Sequence, residues 1–136
     1  MNIAISLVVA YLLGSLPFAY LIGRQKGVDI RQVGDRNVGS FNVFRHAGLA
    51  AGLATFMLDA GKGIMAIVVA KALHVDEVIV LAAGIAAVAG HIWPVFLGFR
   101  GGRGEATIVG VLLALVTWQM VIAFALGIIV LITTPE

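Results

Sequence analysis

Hydrophobic residues in this chain do not alternate with polar ones. They run in long blocks separated by short, polar, glycine-rich intervals. Residues 1–23 contain no Lys, Arg, Asp or Glu, and a second block, 47–72, is interrupted by Asp59 and Lys62. The third, 78–99, is uncharged apart from His91, and the fourth, 106–135, is uncharged throughout. A helix needs about 20 such residues to cross a hydrocarbon core of ~30 Å. A helix on the surface of a water-soluble core shows a polar face every 3.6 residues, and these blocks show none. The pattern predicts an all-α, polytopic integral membrane protein, a single membrane domain over 1–136 with about four transmembrane helices. These are expected near 2–23, 47–72, 78–97 and 106–132, with polar loops at 24–46 and 98–105.

Composition narrows the choice further. Of 136 residues, 61% are hydrophobic and 12% are charged, about half the usual ~25%. A small soluble domain exposes too much surface to be covered by so few charges. A soluble globular domain, a disordered chain and a nucleic-acid binder are thereby excluded, and the lipid bilayer is the expected surroundings. There is no cysteine, so disulfides and thiol nucleophiles are excluded. The three histidines are scattered, and neither a transition metal nor another cofactor is implied. The first block lacks a basic leader and a small-x-small cleavage site, so it is expected to stay attached as a membrane helix.

The placement of charge then orients the chain. Arg24, Lys26, Arg31, Arg36 and Arg45 lie in the first polar interval, and Arg100 and Arg103 in the third. The interval between them carries His74, Asp76 and Glu77. Excess positive charge marks cytoplasmic loops, which predicts a cytoplasmic face for both basic loops and an outer position for the N-terminus.

Three stretches carry candidate chemistry. The first loop holds Gly27, Gly34 and Gly39, Asn37 and Asn42, and Arg31, Arg36 and Arg45. Glycine lets backbone N–H groups approach an anion, and arginine meets phosphate with a rigid fork of donors. Arginines that only set topology and touch anionic lipid are the plainer alternative. Gly34 to Ser40 spells G-x-x-x-x-G-S, but a nucleotide loop needs Lys before the hydroxyl residue and a preceding strand. Asp59 and Lys62 share a helix face at i, i+3 and can neutralise each other; Lys62 facing an anionic group is the functional alternative. The third stretch runs from Gly90-His91 through Pro94 to Arg100-Gly-Gly-Arg103-Gly104-Glu105-Ala-Thr107. It opens into a helix, whose N-terminus offers unpaired N–H groups to phosphate. His91 also fits as an internal, satisfied histidine, and Glu105 suits the helix dipole without a catalytic role.

At these stretches the sequence resembles the bacterial acyl-phosphate:glycerol-3-phosphate acyltransferases. The resemblance begins at Gly14-Ser-Leu-Pro17 and continues through Gly34-x-x-Asn37-x-Gly39-x-x-Asn42-x-x-Arg45. It then takes in Asp59-x-x-Lys62-Gly63 and Gly90-His91-x-x-Pro94 through Thr107. It implies transfer of an acyl chain from acyl-phosphate to the 1-hydroxyl of glycerol 3-phosphate, giving lysophosphatidate, in the bacterial inner membrane. Such enzymes use acyl-phosphate rather than thioester donors and lack a His-x4-Asp pair, which this chain lacks too. By position the resemblance marks Arg45, Lys62, Arg103 and His91 as catalytic candidates. Gly34, Asp35, Asn37, Gly39, Ser40, Asn42, Arg100, Gly101, Gly102, Gly104 and Thr107 become candidates for holding substrate or phosphate.

The chain departs from the family in places. Gly34-Asp35-Arg36-Asn37 stands where the family reads G-S-G-N, so a carboxylate replaces a phosphate-binding serine. Arg100-Gly-Gly-Arg103-Gly-Glu105 replaces K-G-G-K-G-V. Family members usually continue into further helices with polar residues, whereas this sequence ends at Glu136. A fragment, a divergent paralogue or a non-catalytic membrane protein that binds phosphorylated ligands or headgroups are the alternative expectations.

Overall fold

The computed structural model describes residues 1–133; 134–136, the tail of the last apolar block, lie outside the described residues. The described chain is helical: α1 (Asn2–Gly14), α2 (Phe18–Gln25), α3 (Ser40–Ala47), α4 (Leu49–Ala72), α5 (Glu77–Ile92), a 3-10 turn (Val95–Leu97), α6 (Glu105–Leu115) and α7 (Thr117–Thr133). Among the described residues, three segments are long and apolar enough to cross a membrane: Asn2–Gln25, Leu49–Ala72 and Glu77–Leu97. The protein is a multi-pass membrane protein.

Two expected spans are not single helices. The stretch 2–23 divides at Ser15–Leu16–Pro17 into α1 and α2. Pro17 has no N–H for the helix ladder, and its ring crowds the preceding turn. The stretch 106–132 divides at Val116, whose backbone leaves the helical region (φ −132°, ψ 38°). At about 1.5 Å per residue, the 11 residues of α6 fall well short of a bilayer core. The loop 24–46 also contains a helix, α3, followed by Gly48 at φ +94°.

Small residues set the packing. Gly14 of α1 lies against the carbonyl of Ala87 in α5, and Gly90 of α5 against that of Tyr11. Gly63 of α4 and the carbonyl of Thr107, and Gly110 of α6 and that of Ala60, make a second reciprocal pair. Contact between helix backbones is how membrane helices gain close packing without large side chains. Around these contacts Ala10, Ala66, Ile67, Ala83 and Ala87 form the main buried cluster. Large apolar side chains such as Val8, Met57 and Ile85 face outward, as lipid requires.

A second cluster, with Ile30, Val38 and Val43 at its centre, anchors the first basic loop. The loop leaves α2 by a Schellman arrangement, in which Gly27 (φ +76°) donates to Arg24 O and Val28 to Gly23 O. Arg31 then forks onto Asp29 at 2.8 and 3.0 Å and lies 4.4 Å from the centre of the Tyr20 ring. The hydrogen bonds from Arg31 hold the Asp29 carboxyl down to about 2.

Candidate active-site cleft

The break between α1 and α2 frees a carbonyl inside the helix bundle, and a charge from α4 meets it. Lys62 Nζ donates to Leu16 O at 3.0 Å and pairs with Asp59 Oδ1 at 2.8 Å. Both side chains are almost fully buried, 3% and 2% exposed. One turn apart on α4, the two charges neutralise each other where isolated charge is costly. His91, near the end of α5, brings Nδ1 to 3.6 Å from the same Asp59 oxygen. Two helices and a helix break thus converge on one polar knot.

Two clefts meet at Asp59 and His91. The inner one is narrow and is walled by residues 14–19 together with Lys62, Pro94 and Gly101. The outer one is walled by Asn37, Gly39, Ser40, Arg103, Gly104 and Glu105. Gly104 caps α6 in the left-handed region, φ +83°. The first N–H groups of α6 have no partner within the helix, and with Arg103 at the rim they make the outer cleft suited to an anion. His91 Nδ1 and Ser15 Oγ are buried there without a well-aligned hydrogen bond. They are groups that a polar ligand would satisfy. Among the described residues no three His, Asp or Glu side chains gather as a metal site requires.

The structure sorts the expected site residues. Asn37, Gly39, Ser40, His91, Arg103 and Gly104 come together around the outer cleft, and Lys62, His91 and Gly101 around the inner one. Other candidates do different work. Asn42 is buried, and its Nδ2 reaches the carbonyls of Ile30, Val33 and Asn37 at 3.0–3.1 Å. It ties the loop rather than facing the cleft. Gly34 packs on that Asn42 side chain, where a Cβ would collide. Gly102 donates its N–H to His91 O at 3.1 Å and backs the imidazole. Thr107 is fully buried on α6 where Gly63 packs. Arg45 is exposed on α3 and lines neither cleft, and Arg100 lines a third hollow with Arg31 and Arg36. Asp35 accepts Asn37 N–H at 3.1 Å and reaches toward Arg103 Nη2 at 3.4 Å, both side chains being exposed. Sequence reasoning assigned no role to Ser15 and Leu16. The signal was a Gly-Ser-x-Pro run inside an uncharged block.

Comparison with known proteins gives a consistent picture. Residues 4–135 match the family model described as glycerol-3-phosphate acyltransferase. Glycerol-3-phosphate acyltransferase 4 of Dehalococcoides mccartyi is 48% identical over 129 residues, covering 94% of this chain and 70% of the relative. A glycerol-3-phosphate acyltransferase of Prochlorococcus marinus is 46% identical, covering 93% of this chain and 62% of the relative. A crystal structure of PlsY, an integral membrane glycerol 3-phosphate acyltransferase in its glycerol 3-phosphate form, superposes with a TM-score of 0.84 at 40% identity. The match covers 94% of this chain and 66% of that one. The lysophosphatidic acid form gives 0.81 at 39%. The chain therefore spans between 62% and 70% of the length of these relatives.

Proposed function

This chain belongs to the glycerol-3-phosphate acyltransferase family, and on that premise we propose that it moves an acyl group from acyl-phosphate to the 1-hydroxyl of sn-glycerol 3-phosphate. The hydroxyl oxygen bonds to the acyl carbon, the bond from that carbon to the phosphate oxygen breaks, and lysophosphatidate and inorganic phosphate leave. The hydroxyl proton passes to a substrate phosphate. The donor is an activated mixed anhydride, so positioning and charge neutralisation supply the catalysis. We place the reaction at the cytoplasmic face of the bacterial inner membrane, where the positive-inside rule puts both basic loops.

One observation carries this reading. Asn37, Gly39 and Ser40 from the first loop and Arg103 and Gly104 from the third line one cleft, with Asp59 and His91 at its base. In that cleft Arg103 and the α6 N-terminus neutralise phosphate, while Asn37 and Ser40 supply neutral hydrogen bonds. Lys62 supports the site from beneath, holding Asp59 and the Leu16 carbonyl. Purified protein in nanodiscs, given palmitoyl-phosphate and glycerol 3-phosphate, is expected to release inorganic phosphate and form lysophosphatidate. Folded protein that gives neither product refutes the proposal.

The Asp35 carboxylate beside Arg103 favours a second reading, a non-catalytic membrane protein that holds phosphorylated ligands. Glycerol 3-phosphate binding without turnover, lost in Arg103→Ala, would support it.

A further inference from the structure

Each basic loop has two sides. Along 31–40, Asn37, Gly39 and Ser40 line the active-site cleft, but Arg31, Gln32 and Arg36 line a different hollow. Along 98–105, Arg103 and Gly104 face the outer cleft and Arg100 faces the hollow, while Gly101 is the wall shared by the hollow and the inner cleft. Val38 and the Gly101–Gly102 backbone stand between the two, with Gly102 packed on Val38 O and His91. The hollow is open and holds about 390 Å³.

Its charge is unbalanced. Arg31 is held in place by Asp29 and Tyr20. Among the described residues, neither Arg36 nor Arg100 has a carboxylate within 4.0 Å, whereas Arg103 has Asp35. Three guanidinium groups therefore surround one open space, with a single carboxylate bound to one of them. Arginine forks match phosphate oxygens in pairs. Basic pockets between membrane helices are where acidic headgroups bind.

The surroundings point to lipid rather than water as the source of the phosphate. The segment that supplies Leu97, Arg100 and Gly101 also exposes Trp93, Phe96 and Phe99, at 57%, 57% and 58%. An exposed Trp beside a helix end marks the depth of the headgroups, and the two phenylalanines add apolar surface next to it. We propose that the hollow between Arg31, Arg36 and Arg100 is a second phosphate site, separate from the active-site cleft, that holds the headgroup of an acidic phospholipid. It gives the protein a fixed anionic lipid against the outer wall of the two loops that form the cleft.

The test is native mass spectrometry of the protein ejected from nanodiscs of phosphatidylcholine mixed with phosphatidylglycerol. Wild type is expected to retain phosphatidylglycerol in preference to phosphatidylcholine. Arg36→Gln and Arg100→Gln are each expected to weaken that retention about fivefold, the share of one arginine at a lipid surface. Arg36→Lys should keep most of it, and Arg103→Gln, on the other side of the loop, should leave it intact. Equal retention of the two lipids overturns the proposal. So does loss confined to Arg103→Gln, which would put the lipid in the cleft, or displacement of the lipid by equimolar inorganic phosphate, which would make the ligand a soluble anion.

Discussion

Lys62→Met removes the charge from the polar knot while keeping most of the side chain's bulk. At 2.8 Å from Asp59, two unit charges attract by about 6 kcal/mol at an effective dielectric of about 20. Stripping each ion of water costs several kcal/mol, so the intact pair contributes little net stability. Removing one member alone is different, because a carboxylate with a side chain 2% exposed is left without its countercharge. Such losses cost about 3–5 kcal/mol. The Leu16 carbonyl loses its 3.0 Å bond from Lys62 but keeps the one from Phe18 N–H, a smaller cost of about 1 kcal/mol. Adding Asp59→Leu to Lys62→Met should recover most of the first cost and leave the second. Equilibrium unfolding in mixed micelles, with the fraction of denaturing detergent raised stepwise, reads all three proteins on one scale. A single variant that loses less than about 1 kcal/mol, or a double variant no more stable than the single, refutes this account of the pair.

The remaining predictions concern the loops and the helix contacts. Asp35→Ser frees Arg103 from a carboxylate 3.4 Å away; exposed pairs contribute up to about 1 kcal/mol, so the KM for glycerol 3-phosphate should fall up to about fivefold with kcat little changed. Gly110→Ala places a Cβ into the carbonyl of Ala60, whereas Gly61→Ala meets nothing within 4 Å. The first should sharply lower the yield of folded protein, and the second should be neutral or, by helix propensity, up to about 1 kcal/mol stabilising in the same micelle assay. Because Arg31 lowers Asp29 from 3.8 to about 2, their pairing is fully present above about pH 4 and is lost as pH falls toward 2. A carboxyl resonance of Asp29 followed by NMR should titrate near 2 in wild type and near its ordinary value in Arg31→Gln.

Much of the fold was legible because lipid imposes long uncharged blocks. α4, at Leu49–Ala72, lies within two residues of its expected start, and the spacing of Asp59 and Lys62 anticipated their pairing. Hydropathy does not register a lost backbone hydrogen bond, so the division at Pro17 was read through although the proline was in plain view. The division at Val116 left no sign at all, since neither proline nor glycine stands there. α3 was hidden for the opposite reason: eight residues, Ser40–Ala47, too short and too polar to stand out from a loop. Within the candidate site, residue type suggested phosphate affinity without telling which way each group faces. Arg100 and Arg103 stand three apart in a glycine-rich run, yet they line different hollows, with Gly101 and Gly102 between them bonded to Ile92 O and His91 O. Asn42 has the donors a phosphate would use, yet three loop carbonyls use them instead.

The reciprocal glycine contacts bear on how such a protein adapts to different membranes. α1 and α5 meet carbonyl to Cα at Gly14 and Gly90, as do α4 and α6 at Gly63 and Gly110. Sliding either pair by a turn would replace glycine with a side chain at a spot that has no room for one. A bilayer that is too thick or too thin is usually met by tilting or shifting helices. In this bundle each locked pair shifts only as a unit, and the bond from Lys62 to Leu16 O ties α4 to the end of α1, which holds Asp59, Lys62 and His91 at matching heights. Changes in lipid thickness are then absorbed by the outward-facing residues, such as Val8, Met57 and Ile85. These can vary in size and length from one membrane to another without moving the polar knot.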